Sequence, residues 1–363
     1  MVTAIIVNYH RHLLTTRAAA SVLADQPDAQ VIVIDNSADT EEARALQNLL
    51  PDQVTCQIAP ENLGFGKACN LGYARARHDW VLLLNPDAFV LKGCITALVS
   101  FLQKTPRAGA VAPLTYWDKA QQWLLPPALL PTPATELTLT LALGWPWLGR
   151  FVSQKFRSWA LTGIRSEQPV PQRMLSGGHM LLRRSAVDAA GGLFDPDFFM
   201  YFEDTDLCVR LHKAGFQLYL VPQAQAVHAW ESDGGKGELA AGSRLLYFQK
   251  QFPGSLLFTA CQRLERDSPA LNLHESRQLG LRQDPLQLAV PPELHGGWVL
   301  EISPHPLLVP ALYCFGRGDQ AQITEQVWAL LGGGEYWARI GSPEGNGLQR
   351  FRFSVAERGS HRA

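Results

Sequence analysis

Three short stretches near the start limit the fold of this chain more than any others: residues 3–7 (TAIIV), 31–35 (VIVID) and 81–84 (VLLL). Each is a β-rich run with hardly a polar residue. Such runs are strands covered on both faces, as in a parallel sheet. Helical patterns at 13–24, 41–50 and 66–76 lie between them. That is βαβ alternation, and it predicts an α/β, doubly wound sheet. Each run ends on polar residues: Asn8 and Tyr9, Asp35 and Asn36, Asn85 and Asp87. In open α/β sheets a ligand sits at the carboxyl ends of the strands. A nucleotide-sized site is expected there, although polar turns alone give the same pattern.

The chain has 363 residues, 47% apolar and 18% charged. This suits one large globular domain and a small one. A net charge of −1 gives no global field for nucleic acid, so no nucleic-acid partner is expected. The six cysteines form no CxxC pair, which argues against a zinc site or a disulfide framework. The start, MVTAIIVNYH, lacks the features of a signal peptide, and no segment has transmembrane length. The expected location is cytoplasmic.

Residues 117–160 form a Pro-punctuated, apolar excursion. Within it, 137–149 (LTLTLALGWPWLG) carries no charge and fits a helical face or a strand equally. Between residues 141 and 184 there are seven Lys/Arg and one Glu. Internal packing and contact with a membrane surface both suit this segment. Residues 180–183 read as a strand and 239–252 as a helix. Residues 254–292 read as a connector. From 293 to 363 short β-like runs at 298–302, 311–315, 326–331, 336–340 and 348–355 predict a small β-rich domain.

The stretch 198–216, FFMYFEDTDLCVRLHKAGF, carries the sharpest chemical signal. Glu203, Asp204 and Asp206 follow an aromatic run and open a helix closed by Gly215. A carboxylate among apolar walls at a helix start suits a general base. Dipole-favoured acids at a helix start are the plain alternative, and Asp206 with Arg210 at i,i+4 suits a simple ion pair. Asp87 follows an apolar strand and a sharp Asn-Pro step, a place to hold Mg²⁺ or Mn²⁺ at the sheet edge. His228 is a candidate imidazole ligand. A metal there suits a diphosphate leaving group, and a base across the pocket suits in-line attack with inversion. The segment 61–72, ENLGFGKACNLG, is a Gly-rich turn, neither a P-loop nor a dinucleotide fingerprint.

Taken in order, IIVNYH, VIVIDNS, ENLGFGKACNLG, LLLNPDAF, SGGHMLLRR, GGLFDPDFFMYFEDTDLCVRLHKAG and AVHAW resemble the family 2 glycosyltransferases of GT-A fold, in particular the bacterial rhamnosyltransferase-like branch. The resemblance covers residues 1–253. It implies a GT-A-like catalytic domain with a mixed sheet, and an inverting, metal-assisted glycosyltransferase. Asp35 would then contact the base or ribose of a nucleotide-sugar, near Val7, Asn8 and Tyr9. Asn62, Gly64 and Lys67 would line the donor pocket. Asn85, Pro86 and Asp87 stand where the family has its Asp-x-Asp motif, which leaves Asp87 as the main carboxylate for Mn²⁺ or Mg²⁺. His228 matches the late metal-binding His, Asp204 the catalytic base, and Glu203 a group orienting the acceptor or the base. The implied donor is dTDP-rhamnose or a UDP-sugar. The implied acceptor is a polysaccharide or lipid-linked glycan, with peripheral contact at the inner membrane face and a homodimer as further expectations. Two other readings stay open. One is a non-catalytic nucleotide- or glycan-binding module, supported by Asn85 in place of an acid. The other is a sugar nucleotidyltransferase, although the glycines such enzymes carry after the first strand are absent from VNYHRHLLTT.

Overall fold

The computed structural model describes residues 1–229, 237–267, 276–345 and 348–356. Trp230 of AVHAW and residues 357–363 of the expected β-rich domain lie outside the described residues. The chain opens with β1 (Val2–Asn8), α1 (His12–Asp25), β2 (Gln30–Asp35), α2 (Thr40–Leu49), β3 (Val54–Ile58), α3 (Phe65–Arg75) and β4 (Trp80–Leu84). Next come β5 (Ala88–Val90), α4 (Cys94–Lys104), β6 (Ala108–Tyr116) and β7 (Trp123–Leu124). Helices α5 (Pro133–Gly144) and α6 (Pro146–Ile164) precede β8 (Val170–Gln172), β9 (His179–Arg183), α7 (Arg184–Ala189), α8 (Glu203–Lys213) and β10 (Gln217–His228). Helices α9 (Gly237–Gln251) and α10 (Leu256–Asp267) lead to β11 (Arg277–Arg282), β12 (Gln287–Ala289), β13 (Trp298–Ser303), β14 (Leu312–Gly316) and β15 (Gln320–Gln322). Last are α11 (Glu325–Leu330), β16 (Gly334–Gly341) and β17 (Gln349–Val355).

The three apolar runs are β1, β2 and β4, and β1 pairs in parallel with both others. Residues 4–7 and 31–34, with 81–84, are all buried, as strands covered on both faces require. One layer of side chains packs beneath α1 and α4, and the opposite layer beneath α3, α7 and α8. Strand β9 inserts antiparallel between β4 and β6, which makes the sheet mixed. Strand β10 runs parallel to β6, with a register shift between Val221 and Gln225, and ends antiparallel to β5. That geometry brings His228 opposite Ala88, one residue past Asp87.

Within the 117–160 excursion, the 137–149 segment forms helices, not a strand. Thr132 caps α5 by accepting from the Thr135 N–H at 3.1 Å. Pro146 then starts a second helix, because proline suits a first turn and cannot continue the one before it. In the C-terminal part, 326–331 is helix α11 and not the expected strand. Thr324 caps it through the Val327 N–H, and Val327 and Trp328 are both buried. The connector expected over 254–292 contains β11 and β12. They pair with β17 and β15, so β structure begins before 293.

The C-terminal strands are not a detached sheet. Strand β14 pairs with β7, which joins them to the central sheet, a sheet of 15 strands among the described residues. They nevertheless have their own apolar core around Trp298, Leu300, Trp328 and Phe353. A buried ion cluster fastens α6 to this region. Glu301 Oε2 accepts from Arg157 Nε at 2.6 Å and Arg339 Nε at 2.7 Å, and its Oε1 accepts from Arg339 Nη2 at 2.6 Å. Arg157 also donates to the Ser342 carbonyl, and Arg339 to Ser153 Oγ. A charge this deep is tolerable only when fully paired, so the cluster fixes one docking geometry.

Candidate active site

Because β4, β1 and β2 are adjacent and parallel, their polar ends meet at one edge. Asn8 Nδ2 donates to Asp35 Oδ1 and to Glu42 Oε1, both at 3.0 Å, and Asn8 Oδ1 accepts from Thr15 Oγ1 at 2.7 Å. All four residues are buried. Asp35 Oδ1 also accepts from the Ser37 N–H, whereas its Oδ2 is buried without a protein partner. Asn36 fixes the Gly-rich turn: it donates to Asn62 Oδ1 and accepts from the Leu63 N–H, both at 2.9 Å. Val7 is buried below this cluster, and Tyr9, Asn62 and Lys67 are exposed.

The turn itself is pressed against the aromatic loop ahead of α8. Gly64 has a φ of +79°, and a Cβ there would stand 2.2 Å from the Phe199 carbonyl oxygen, so only glycine fits. The Phe65 N–H donates to that same carbonyl at 2.8 Å. Asn70 brackets Phe194 with two hydrogen bonds to its backbone, and Lys250 pairs with Asp195 and Asp197 on the loop's other side. Tyr201 and Phe202 both have positive φ, 69° and 65°. Two such residues in succession are strained, and the strain sits directly before the two carboxylates.

At the start of α8, Asp204 and Glu203 occupy different environments. Asp204 Oδ2 accepts from the Gly177 N–H at 2.9 Å, and its Oδ1 accepts from the Thr205 N–H at 2.7 Å and the Thr205 hydroxyl at 3.2 Å. Burial still raises its pKa above the ordinary aspartate value, against those hydrogen bonds. Part of the side chain remains accessible. Glu203 is buried, with Oε2 lacking a partner, and it packs beside Gly66. Burial, and then the Asp204 charge, push its pKa up to about 8. Two neighbouring carboxyls with pKa values driven upward are typical of a reaction centre.

On the other side of the 176–178 loop stand Asn85, Asp87 and His228. Asp87 Oδ1 lies 3.1 Å from His228 Nε2, and Asn85 Nδ2 lies 3.5 Å from the same nitrogen. Burial opposes ionisation of Asp87, but His228 beside it prevails and lowers its pKa. Asn85 Oδ1 and Asp87 Oδ1 are buried without an aligned hydrogen-bond donor. Asp87 Oδ1 and the His228 imidazole nitrogen stand together beside the Asn85 amide, donor types that fit Mn²⁺ or Mg²⁺. Among the described residues no group of three His, Cys, Asp or Glu could hold a metal unaided. This set would therefore leave coordination positions open to ligand oxygens. Gly178 permits the approach: a Cβ on it would stand 2.8 Å from both Asn85 Nδ2 and His228 Cε1.

The candidate residues thus gather into a polar strand-end half around Asn8 and Asp35, and a reaction half around Asp87, His228 and Asp204. Asp206 and Arg210 are tied together at 2.6 Å, and Arg210 also donates to the carbonyls of Ala190, Gly192 and Leu193. They hold the loop before α8. Sequence reasoning named Asn36 only as a polar strand end and did not single out Glu42, the Gly177 N–H or His179. Asn36 was legible from its place after Asp35. Glu42 lies on a helix face, and only folding turns it toward Asn8.

The model of the glycosyl transferase family 2 matches residues 3–189. The chain belongs to glycosyl transferase family 2. The transferase is 32% identical over 237 residues to the N-acetylglucosaminyl-diphospho-decaprenol L-rhamnosyltransferase of Mycobacterium tuberculosis (strain H37Rv), across 60% of this chain and 71% of that protein. It is 26% identical over 245 residues to the rhamnosyltransferase WbbL of Escherichia coli (strain K12), across 63% of this chain and 83% of the relative. The resemblance to rhamnosyltransferase-like enzymes, and with it the α/β fold of GT-A type, therefore holds for this chain. Partial overlaps with solved structures include GalNAc-T7 with UDP, GalNAc and Mn²⁺. That overlap has a TM-score of 0.45 and 16% identity, over 74% of this chain and 54% of that one. Another is the mannosyltransferase PcManGT from Pyrobaculum calidifontis with GDP-Man and Mn²⁺, with a TM-score of 0.46 and 16% identity over 73% and 68%.

The Glu203 environment has a consequence for stability. A carboxyl whose pKa is raised by folding keeps its proton where the unfolded chain has lost it. Its contribution is therefore complete below the unfolded value of 4.5 and is lost as pH rises through about 8. Glu203→Gln, which mimics the protonated form, is expected to match the wild-type melting point near pH 4 and to exceed it by several degrees at pH 8.5. A pH series of thermal unfolding checks this, and equal melting points at both pH values would refute a neutral Glu203.

Proposed function

We propose that this transferase moves a sugar, with inversion, from a nucleoside-diphosphate donor to a hydroxyl of a glycan acceptor, with Asp204 as the general base. One observation carries the reading. The loop 176–178 holds Asp204 on one side through the Gly177 N–H, and meets Asn85 and His228 on the other through Gly178. A base and an oxygen-and-imidazole donor set thus stand on the two sides of one short loop.

Asp204 takes the proton of the acceptor hydroxyl as its oxygen bonds to the anomeric carbon. The bond from that carbon to the diphosphate oxygen breaks on the opposite face, and the nucleoside diphosphate leaves. Gly177 and Thr205 hold the Asp204 carboxylate in one orientation throughout. Asp87, His228 and Asn85 would hold a divalent cation, which when bound neutralises charge on the leaving diphosphate. Asp35, held by Asn8, would contact the base or ribose, a reading supported by its Oδ2 having no protein partner. Lys67, Asn62 and Tyr9 rim the donor side. The two relatives are rhamnosyltransferases, which supports dTDP-rhamnose as donor, with a UDP-sugar as the alternative. The name of the mycobacterial relative supports a lipid-linked acceptor and a place in cell-envelope glycan synthesis.

A lipid-linked acceptor requires approach to a membrane. No described helix is long and apolar enough to cross one. The outward face of α6 suits a surface contact instead. Trp147, Phe151 and Trp159 are exposed on it at helical spacing, together with Arg150 and Lys155, and α6 contains no acid. Aromatic and basic groups sharing one face favour an anionic lipid interface.

Three outcomes are expected. Asp204→Asn lowers transfer by about 10²- to 10⁴-fold while calorimetric binding of the donor nucleotide persists; near-normal turnover would remove Asp204 as base. EDTA abolishes transfer and added Mn²⁺ restores it, whereas full activity in EDTA would remove the metal role of Asp87 and His228. Nucleotide binding without transfer to any acceptor would favour the binding-module reading. The protein also co-sediments with vesicles containing phosphatidylglycerol, and the double variant Trp147→Ser, Phe151→Ser does not; equal sedimentation of the two would exclude the α6 face.

A further inference from the structure

Helix α6 and the loop 343–345 form a pocket of about 560 Å³. None of Asn8, Asp35, Asp87, Asp204 or His228 lines it, so it is separate from the candidate active site. Its walls carry the basic residues Lys155, Arg157 and Arg165 and the hydroxyls of Ser158 and Thr162. Glu344 is the one acid among its described lining residues.

The positive charge continues behind the pocket. Glu301, Arg339 and Arg350 are cross-strand neighbours on β13, β16 and β17, so they share one face of the sheet. Ser153 and Arg157, one turn apart on α6, meet them there. Three guanidinium groups thus gather around one carboxylate. Glu301 spends both oxygens on Arg157 and Arg339. Arg350 donates to Ser153 Oγ at 3.0 Å, and its Nη1 is buried without a partner. Burial, and then Arg339, lower the Arg350 pKa to about 10, which leaves it charged at neutral pH. A surplus of buried cations is costly without a counter-charge.

Arg157 joins this cluster to the pocket. It is only 1% exposed. Its Nε and Nη2 are engaged by Glu301 and the Ser342 carbonyl, at 2.6 and 2.8 Å. Its Nη1 donates to no described residue and faces Gly345, where a Cβ would stand 3.7 Å away. A guanidinium fixed on one side, with a nitrogen left at a pocket wall, is preorganised for an oxyanion. A basic residue in the last turn of a helix is ordinary, so Arg165 alone would mean little. Its contact with Glu344 is 3.4 Å long and exposed, and competes weakly with a ligand.

We propose that this pocket binds a phosphate group, with Arg157 and Arg165 donating to its oxygens and Lys155 supplying further positive charge. Guanidinium forks and hydroxyls match a tetrahedral oxyanion. Phe151 lines the pocket and is exposed on the aromatic face of α6. The headgroup of an anionic phospholipid and a soluble phosphate monoester therefore share the chemistry that the site recognises. The inference is independent of the transferase reading, and a soluble ligand tests it without a membrane.

Calorimetry on the full chain with glycerol 1-phosphate, at physiological salt, is the first test. The wild type is expected to bind it, and no binding at millimolar ligand would overturn the proposal. Thr162→Trp fills the pocket without a change of charge, and Arg165→Glu reverses a charge on its wall. Both positions are exposed, so both variants are expected to fold. Each is expected to weaken binding at least about tenfold, through lost charge-assisted hydrogen bonds. Lys104→Glu makes an equal change of net charge on α4, outside the pocket, and is expected to stay within about twofold because salt screens it. Unchanged affinity in both pocket variants, or an equal loss in Lys104→Glu, would overturn the site. Vesicles of phosphatidylcholine with phosphatidylglycerol then identify the source. Release of bound protein by glycerol 1-phosphate, and not by sodium chloride of equal ionic strength, assigns the pocket to a lipid headgroup. No release, with the calorimetric result intact, assigns it to a soluble phosphate ester and leaves the α6 membrane contact to be judged separately.

Discussion

A polar side chain within a strand packed on both faces must be paired, so those of β1, β2 and β4 stand mostly at the strand ends, and the candidate site follows from that constraint. Strands β1, β2 and β4 are apolar along their buried lengths because helices cover both sides of them. Asn8, Asp35 and the 85–87 turn come where the cover stops. Parallel pairing puts all three at the same edge, so a polar site forms without any polar group entering the core. Asn8 illustrates the arrangement: it is fully buried but uses three side-chain hydrogen bonds, to Asp35, Glu42 and Thr15.

The reaction half depends on backbone that approaches unusually closely. Gly177 and Gly178 form a thin partition between Asp204 and the Asn85–His228 group, and side chains in their place would collide with one or the other. Gly64 and Gly66 do the same for the aromatic loop before α8, where a Cβ would meet the carbonyls of Phe199 and Phe198. The strained Tyr201 and Phe202 are held by this docking, by Asn70 on Phe194 and by Lys250 on Asp195. Rigid support on several sides is what an oriented carboxylate needs, because a base must stand within hydrogen-bond reach of its proton.

The C-terminal strands extend the same sheet but build a second core. Their link to the catalytic part is both hydrogen-bonded, through β7 and β14, and ionic, through Glu301 with Arg157 and Arg339. A buried three-residue charge cluster tolerates little sliding, since any loss of pairing leaves a charge in a dry interior. That pairing holds β13 and β16 against α6. It also places α6 with its aromatic face outward.

Much of the catalytic half was legible in the sequence. Period and apolar content gave β1, β2, β4 and the helices between them, and the acidic cluster after an aromatic run marked Asp204. These are local properties, set by burial on two faces and by residue chemistry within a few positions. The sequence left 137–149 open between helix and strand, and it assigned α11 to a strand, because short apolar runs fit both periods and only packing decides. It could not show that β10 would carry His228 back to Asp87, some 140 residues away in the chain, or that Glu42 would turn onto Asn8. Nor could it show that β7 would join the C-terminal strands to the central sheet. Those relations depend on strand order, register and the docking of two cores, which no local pattern contains and which tertiary structure alone decided.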